Sequence, residues 1–210
     1  MDAVTRFCAA AAGMSGGILE QIREGRGSTA PDRRGSTDPE HHARQIAFKL
    51  AVLSNPRLKA TNPSSTLKSL TNLMVGSADN KARVVAGGGV EVMLAALAAF
   101  DSDRALVEAA VAALYNLMIG SADNKARVVA AGGVEGVLKA LETFSDDARP
   151  HGVVYWAVSA LSQVSQGGPA ALARLRALGA AAHVRAAMAV PGVHERAQEY
   201  GQKILARLGC

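Results

Sequence analysis

The feature that most constrains this chain is a stretch of 20 residues that occurs twice. Residues Asn72 to Glu91 read NLMVGSADNKARVVAGGGVE, and residues Asn116 to Glu135 read NLMIGSADNKARVVAAGGVE. The two copies agree at 18 of 20 positions and lie 44 residues apart. Self-similarity of this length at a fixed spacing indicates supersecondary units stacked side by side, rather than one globular core.

Each copy carries the signals of a short helix followed by a second one. Asp79 and Asn80, like their equivalents in the second copy, are predicted to accept hydrogen bonds from the free N–H groups at a helix start. Gly88-Gly89 then predicts a left-handed stop. Apolar residues follow at the spacing of one helical face: Val90, Met93, Leu94 and Leu97. The pattern therefore predicts two helices in each copy.

A third helix is predicted after the acidic turn that begins at Asp101. From residue 105 to residue 118, apolar side chains occupy most of the circumference: Leu106, Val107, Val111, Leu114, Leu117 and Met118. A helix that is apolar nearly all round is buried against neighbours on several sides. The repeating unit is therefore a short first helix, a middle second helix and a long, buried third helix.

The residues of this unit resemble the armadillo repeat. The segment NKARVVAGGGVEVMLAAL, from Asn80 to Leu97, has the family's Asn in the first helix, its Gly-Gly-Val junction and its aliphatic second helix. The ending Ala113-Leu114-Tyr115-Asn116-Leu117 is similar to the family's A-L-x-N-L ending of the third helix. The resemblance implies an all-α, right-handed armadillo-type superhelical solenoid of about four three-helix repeats with degenerate terminal repeats.

The predicted organisation follows the repeat. Residues 1–77 are expected to form a degenerate N-terminal repeat with a Gly/Ser/Arg-rich insertion at 25–62. Residues 78–166 hold two well-formed armadillo-like repeats, and residues 167–210 a divergent C-terminal capping repeat. Terminal repeats diverge because each must present one face to water.

Composition narrows the class of protein further. The net charge of +5 is spread along the chain, without the dense basic block that is typical of a nucleic-acid footprint. Cys8 and Cys210 offer neither a disulfide framework nor metal-ligand spacing, so we expect free thiols in the cytoplasm or another reducing intracellular compartment, and no secretion. No transmembrane segment is expected, since polar residues interrupt the uncharged stretch at 150–173.

A row of amides is the first candidate binding site. Asn72, Asn116 and Gln163 hold equivalent positions near the ends of third helices, so stacking would align them on the inner, concave surface. In the proteins that this chain resembles, such an Asn binds the backbone of an extended peptide, because an amide both donates and accepts. The alternative is that these amides satisfy backbone groups between units.

The resemblance is incomplete at the aromatic position of this ladder. The family places a Trp one turn before the Asn, where this chain has Lys68, Ala112 and Ser159. Trp156 lies two turns before Gln163 on the same side of its helix. We therefore predict a concave ladder of partner-binding residues without assigning it a basic peptide: Asn72, Asn116, Gln163, Trp156 and Lys68.

A basic edge is the second candidate. First helices of the three aligned units each carry an Arg, with a Lys beside the first two, and the residues are Lys81, Arg83, Lys125, Arg127 and Arg174. Such a row could bind nucleic acid or another acidic partner along the side of the solenoid. The alternative is that these charges only solvate a surface.

A phosphorylation site is expected at Ser36. The segment Arg33-Arg34-Gly35-Ser36 resembles a substrate of basophilic protein kinases, and phosphate there would reverse the local charge. A chance match of so short a motif is the alternative.

Catalysis is not predicted. Gly13-Met14-Ser15-Gly16-Gly17 fits the G-x-S-x-G pattern, but a helical run precedes it where a nucleophile elbow needs a strand. The five histidines show no metal-binding spacing, so neither a metal nor a cofactor is expected. The sequence predicts a non-catalytic protein–protein interaction module or scaffold, acting through the concave face or as a small component of a larger assembly. Nucleic-acid or acidic-partner binding along the basic edge is the alternative.

Overall fold

The computed structural model describes residues 38–54, 62–99 and 101–210. These ranges contain eleven α-helices and no strand. The helices are α1 (Pro39–Ser54), α2 (Pro63–Met74), α3 (Ala78–Ala86), α4 (Gly89–Ala99), α5 (Arg104–Met118), α6 (Ala122–Ala130), α7 (Gly133–Thr143), α8 (Val153–Val164), α9 (Pro169–Ala177), α10 (Ala180–Met188) and α11 (Glu195–Leu208).

The helices stack as repeated three-helix units. The third helices α2, α5, α8 and α11 pack in that order, each against the next. The second helices α4, α7 and α10 form a parallel layer, and each also packs on the third helix of its own unit. The predicted all-α solenoid, with its period set by the repeat, is confirmed.

The third helices form the centre of the core, as their apolar circumference predicts. Leu106, Leu114, Leu117 and Met118 of α5 are fully buried. In α8, ten of the twelve residues are buried, which places it deeper still. One continuous cluster of buried side chains joins α1 to α11, so the units share a single core.

The helix before the first complete unit also belongs to this core. Ile46 and Leu50 of α1 are buried in the same cluster, and the helix packs along α2 while reaching α3 and α4. It covers the start of the stack in the way that α4 and α7 cover later units. Where each unit begins and ends along the chain remains a prediction.

The first helices α3 and α6 are capped by serines, which corrects the capping residues expected from the sequence. Ser77 Oγ accepts the backbone N–H of Asn80 at 3.2 Å, and Ser121 Oγ accepts that of Asn124 at 3.1 Å. The asparagine side chains act elsewhere: Asn80 Nδ2 donates to Leu73 O at 2.7 Å, and Asn124 Nδ2 donates to Leu117 O at 2.9 Å. Because the last carbonyls of a helix lack partners within it, each Asn closes the end of the preceding third helix.

The Gly-Gly junctions allow the first and second helices to approach closely. Gly88 and Gly132 have φ of +78° and +85°, the left-handed region that favours glycine. The next residue in each copy has no room for a side chain, since a Cβ on Gly133 would lie 2.7 Å from the carbonyl oxygen of Val128. The first of these glycines turns the chain, and the second permits the contact.

Among the described residues, no single helix is long and apolar enough to cross a membrane. Taken together, the consecutive helices α3 and α4 would be long and apolar enough, but they are bent by 69° at their junction.

Two alanine substitutions in α7 test the close approach. Gly133→Ala should lower the free energy of unfolding by about 1–3 kcal/mol, because the new Cβ meets backbone that cannot move aside. Gly136→Ala is the matched control, since its Cβ would lie at ordinary contact distance, 3.6 Å and 3.7 Å from methyl groups of Leu97 and Leu94. That variant should gain about 0.5–1 kcal/mol from the lower chain entropy of alanine. Urea unfolding followed by circular dichroism measures both, and equal effects would contradict the assignment.

Candidate partner-binding face

The predicted amides lie on successive third helices without joining them. Asn72 on α2 is exposed, and Asn116 on α5 and Gln163 on α8 are half-buried. Asn116 Nδ2 donates to Ala112 O, 2.9 Å away in its own helix. This carbonyl is also the i−4 acceptor of the Asn116 backbone N–H in the helix. Asn80 and Asn124 link the units instead, through their hydrogen bonds to the ends of the preceding third helices. The amides of the ladder therefore keep capacity for a partner.

The largest concentration of aromatic side chains lies beside this ladder. We call it the aromatic cluster, and its members are Tyr115, His151, Tyr155, Trp156, His194 and Tyr200. It contains all three tyrosines and the single tryptophan of the chain. Trp156 is half-buried and lies 5.7 Å from Tyr115 and 4.9 Å from Tyr155, measured between ring centroids. Three consecutive third helices, α5, α8 and α11, thus contribute to one surface.

The two histidines close the cluster from the turns before α8 and α11. The His151 ring meets Tyr155 edge-on at 4.7 Å and lies 5.5 Å from the His194 ring. His151 adopts φ of +60°, a conformation uncommon outside glycine, and is exposed. His194 caps α11, because its Nδ1 accepts the backbone N–H of Arg196 at 3.1 Å. The proton of the neutral ring therefore lies on Nε2, which is free to donate.

Hydrogen bonds link the hydroxyl groups of the cluster. Burial, together with a hydrogen bond to Tyr200, raises the pKa of Tyr115 to about 12. Arg196 is exposed and hydrogen-bonds through its side chain to Tyr155. At neutral pH the Tyr115 hydroxyl therefore offers a hydrogen bond rather than a proton for transfer.

Charged side chains extend the same face toward the start of the stack. Glu108 lies two turns before Tyr115 on the same side of α5. Its carboxylate is 3.8 Å from Lys68 Nζ on α2 and 3.1 Å from the guanidinium of Arg149. Arg149 also binds Asp147, and this contact holds the pKa of that carboxyl below its usual range. Asp147 in turn accepts the backbone N–H of Val153 at 2.9 Å, which fixes the start of α8.

The basic edge is largely paired within the protein. Arg127 binds Glu91 at 2.7 Å, and Arg174 binds Glu135, so the arginine of one unit meets the glutamate of the unit before it. Lys81 Nζ donates to Ile119 O at 2.8 Å at the end of α5. Arg83 is exposed and Lys125 half-buried. Two of the five cations of the edge are thus held in ion pairs between units, and no observation favours the edge as a nucleic-acid surface.

A shallow groove of about 270 Å³ lies on the opposite layer, between the second helices α4 and α7. Leu94, Leu97 and Gly136 line it, and the ion pair between Lys139 and Asp101 stands at its rim. The groove shares no residue with the aromatic cluster, and none of the binding-site residues predicted from the sequence lines it.

Several predicted features fall outside the described residues or bring no site together. Ser36, Ser15 and Cys8 lie outside the ranges that the structure describes, and Ser36 remains a predicted modification site. Cys210 is an exposed free thiol. Within the described ranges, no group of three His, Cys, Asp or Glu side chains could hold a metal ion.

The sequence singled out Trp156 but not the cluster around it. A signal was present, since all three tyrosines fall in third helices, which the repeat predicts to be neighbours. The histidines gave no such signal, because they lie in turns whose lengths differ from those of the near-identical copies.

Similarity to known proteins supports the fold and gives no information on the site. No family model matches the chain, and no curated protein matches it. Among solved structures, it is similar to a designed armadillo repeat protein, YIII(Dq)4CqI, with 18% sequence identity and a TM-score of 0.56 over 98% of this chain and 91% of that one. A crystal structure of an engineered protein aligns at 19% identity and a TM-score of 0.43, over 83% of this chain and 93% of that one.

The chain therefore has an armadillo-like repeat fold, as the resemblance in its sequence implied. Proteins of this fold commonly serve as protein-binding scaffolds and are typically non-enzymatic. The fold alone does not determine a partner, which has to be argued from the site.

Two asparagine variants separate the joining amides from the ladder amides. Asn124→Ala should lower the free energy of unfolding by about 1–3 kcal/mol, because it leaves the buried end of α5 with an unpaired Leu117 carbonyl. Asn116→Ala should change it by less than about 0.5 kcal/mol, since the carbonyl of Ala112 keeps its backbone partner. Urea denaturation measures both, and a large loss in Asn116→Ala would assign the ladder a structural role.

A pH titration tests the contact between α7 and α10. The hydrogen bond with Glu142 at 2.5 Å raises the pKa of His183 above 6.5. Because the folded-state pKa lies above the unfolded one, the pair stabilises the fold below the ordinary His pKa, and this contribution is lost as pH rises through the raised value. Glu142→Gln should return the His183 pKa toward 6.5 in an NMR titration. An unchanged titration curve would show that the contact does not form in solution.

Proposed function

We propose that this protein is a non-catalytic interaction module whose third-helix face binds an extended segment of a protein partner. The third-helix face is the surface made by the concave ladder, the aromatic cluster and the charged group at Glu108. The observation that carries the proposal is the convergence of Tyr115, Trp156 and Tyr200 from α5, α8 and α11 next to ladder amides that form no contact between units.

The spacing of the ladder suits an extended chain. Packed helices lie roughly 8–10 Å apart, so amides on neighbouring third helices are separated by about that distance. An extended peptide advances roughly 3.3–3.6 Å per residue, so about three residues span one step. One partner segment could therefore contact Asn72, Asn116 and Gln163 in turn, each amide donating to a carbonyl and accepting from an N–H.

The aromatic cluster supplies the binding energy that amides lack. Tyr and Trp side chains dominate binding hot spots, because they bury a large area at little entropic cost. Trp156 is half-buried and packed against Tyr115 and Tyr155, so its orientation is fixed before a partner arrives. Pre-organisation of this kind lowers the entropic cost of binding.

A role within a larger assembly is part of the proposal. The two outermost units differ most from the repeat, and in the described ranges the face between them spans four third helices. A face of that length suits a short segment of one partner, with other surfaces left for further subunits.

A peptide-display selection against the whole chain tests the proposed function. Selected peptides should bind with affinity that falls at least tenfold in the variant Asn72→Ala/Asn116→Ala/Gln163→Ala and in Trp156→Ala, as measured by fluorescence anisotropy. Arg185→Ala is the control, since Arg185 is exposed on the second helix α10, away from the ladder. Circular dichroism confirms that each variant is folded. Peptides that bind all variants equally would place the interaction on another surface.

A further inference from the structure

We propose that the segment bound by the third-helix face is acidic. This inference rests on the proposed function and names the chemistry of the partner. It follows from which charged and hydrogen-bonding groups of the face are exposed, and which are already paired within the protein.

Around Glu108, the carboxylates of the face are largely covered, whereas the cations are exposed. The side chain of Glu108 is only 19% exposed and lies between two cations, Lys68 and Arg149. The side chain of Asp147 is fully buried and bound by Arg149. In contrast, the side chains of Lys68 and Arg149 are 57% and 53% exposed. An approaching chain therefore meets the exposed cations before the covered carboxylates, and a negative partner is complementary to those cations.

Hydrogen-bond donors dominate the aromatic cluster in the same way. The Trp156 indole and the Arg196 guanidinium only donate. His194 accepts with Nδ1 from the backbone of α11, so its outward Nε2–H also donates. A carboxylate accepts several hydrogen bonds and donates none, which makes it the side chain that fits a donor-rich site.

Acidic residues on α11 do not reverse this balance. Glu199 lies 4.0 Å from Lys203, its partner one turn later in the same helix. Glu195 occupies the first turn of α11, where a negative charge is favourable beside the helix N-terminus. Arg196 is exposed beside it and packs against Tyr155 in the cluster.

A peptide fits the face better than a nucleic acid does. Single-stranded nucleic acid needs a continuous positive groove that follows the phosphates, together with exposed rings for stacking bases. The described cations of the face are few, namely Lys68, Arg149, Arg196 and Lys203, and Tyr155 is buried. The arginines Arg127 and Arg174 on the basic edge are held in ion pairs.

The proposal also distinguishes acidic from basic segments. Lysine or arginine side chains could stack on Trp156 and the tyrosine rings. Arg196 already hydrogen-bonds to Tyr155, however, and Lys203 Nζ lies 5.7 Å from the centroid of the Tyr200 ring, so a further cation brought there would be repelled. A basic segment should therefore bind more weakly than a neutral one of the same length.

Three matched synthetic peptides of about ten residues, roughly 33 Å when extended, provide the test. They alternate Ser with Glu, Gln or Lys, and an oligodeoxythymidine of similar length is the nucleic-acid arm. Trp156 is the only tryptophan, so its fluorescence reports binding at the cluster itself. We expect the Glu peptide to bind at least tenfold more tightly than the Gln peptide, the Lys peptide to bind weakest, and added salt to reduce the preference.

Variants assign the preference to this face. Arg196→Gln should weaken binding of the Glu peptide about tenfold and leave the Gln peptide unchanged. Arg185→Gln, an exposed arginine on α10, is the matched control and should change neither. Circular dichroism checks that both variants are folded.

The outcomes separate this inference from the proposed function. Tightest binding of the Gln or Lys peptide, lost in Trp156→Ala when followed by the fluorescence anisotropy of a labelled peptide, would overturn the acidic partner while supporting peptide binding by the face. Failure of all three peptides to bind would contradict both proposals. Tighter binding of the oligodeoxythymidine than of every peptide would overturn the inference in favour of a nucleic-acid partner.

Discussion

The packing of each third helix against the third helix of the unit before it is the constraint on which the rest of the structure depends. Nine side chains of α5 are buried, because this helix lies between α2 and α8 and beneath α4. A single unit would leave one apolar side of its third helix in water, so no unit completes its own core. Stacking removes that exposure and fixes the relative position of neighbouring helices, which brings Tyr115 and Trp156 together from different units.

The periodic part of the structure could be predicted from sequence, since a repeat reports the same local environment twice. The burial of Leu114 and Met118 and the glycine junction at Gly132-Gly133 followed from spacing alone. The cap at Ser77 did not. Serine and asparagine can both close a helix start, and the choice depends on whether another acceptor is within reach. Here Leu73 O, at the end of a different helix, takes the Asn80 amide, and only the stacked arrangement brings it there.

The candidate site, too, could be predicted from sequence only in part. The ladder positions followed from aligning units, because residues at equivalent places lie on one surface. The pairing of Arg127 with Glu91 did not, since it depends on the offset between successive units, which a repeat spacing does not give. Charges on the first helices are paired across unit boundaries, whereas around Glu108 the carboxylates are more covered than the cations that bind them.

The ion pair between Arg127 and Glu91 recurs between Arg174 and Glu135, so two successive boundaries are built from the same contact. A contact that recurs at successive boundaries does not itself limit the number of units that can be stacked. A duplicated 44-residue segment inserted between them would find matching neighbours on both sides. Each such duplication would lengthen the solenoid by one helix spacing, roughly 10 Å. The evolutionary adjustment of reach therefore needs no new interface, only another copy of one that already exists.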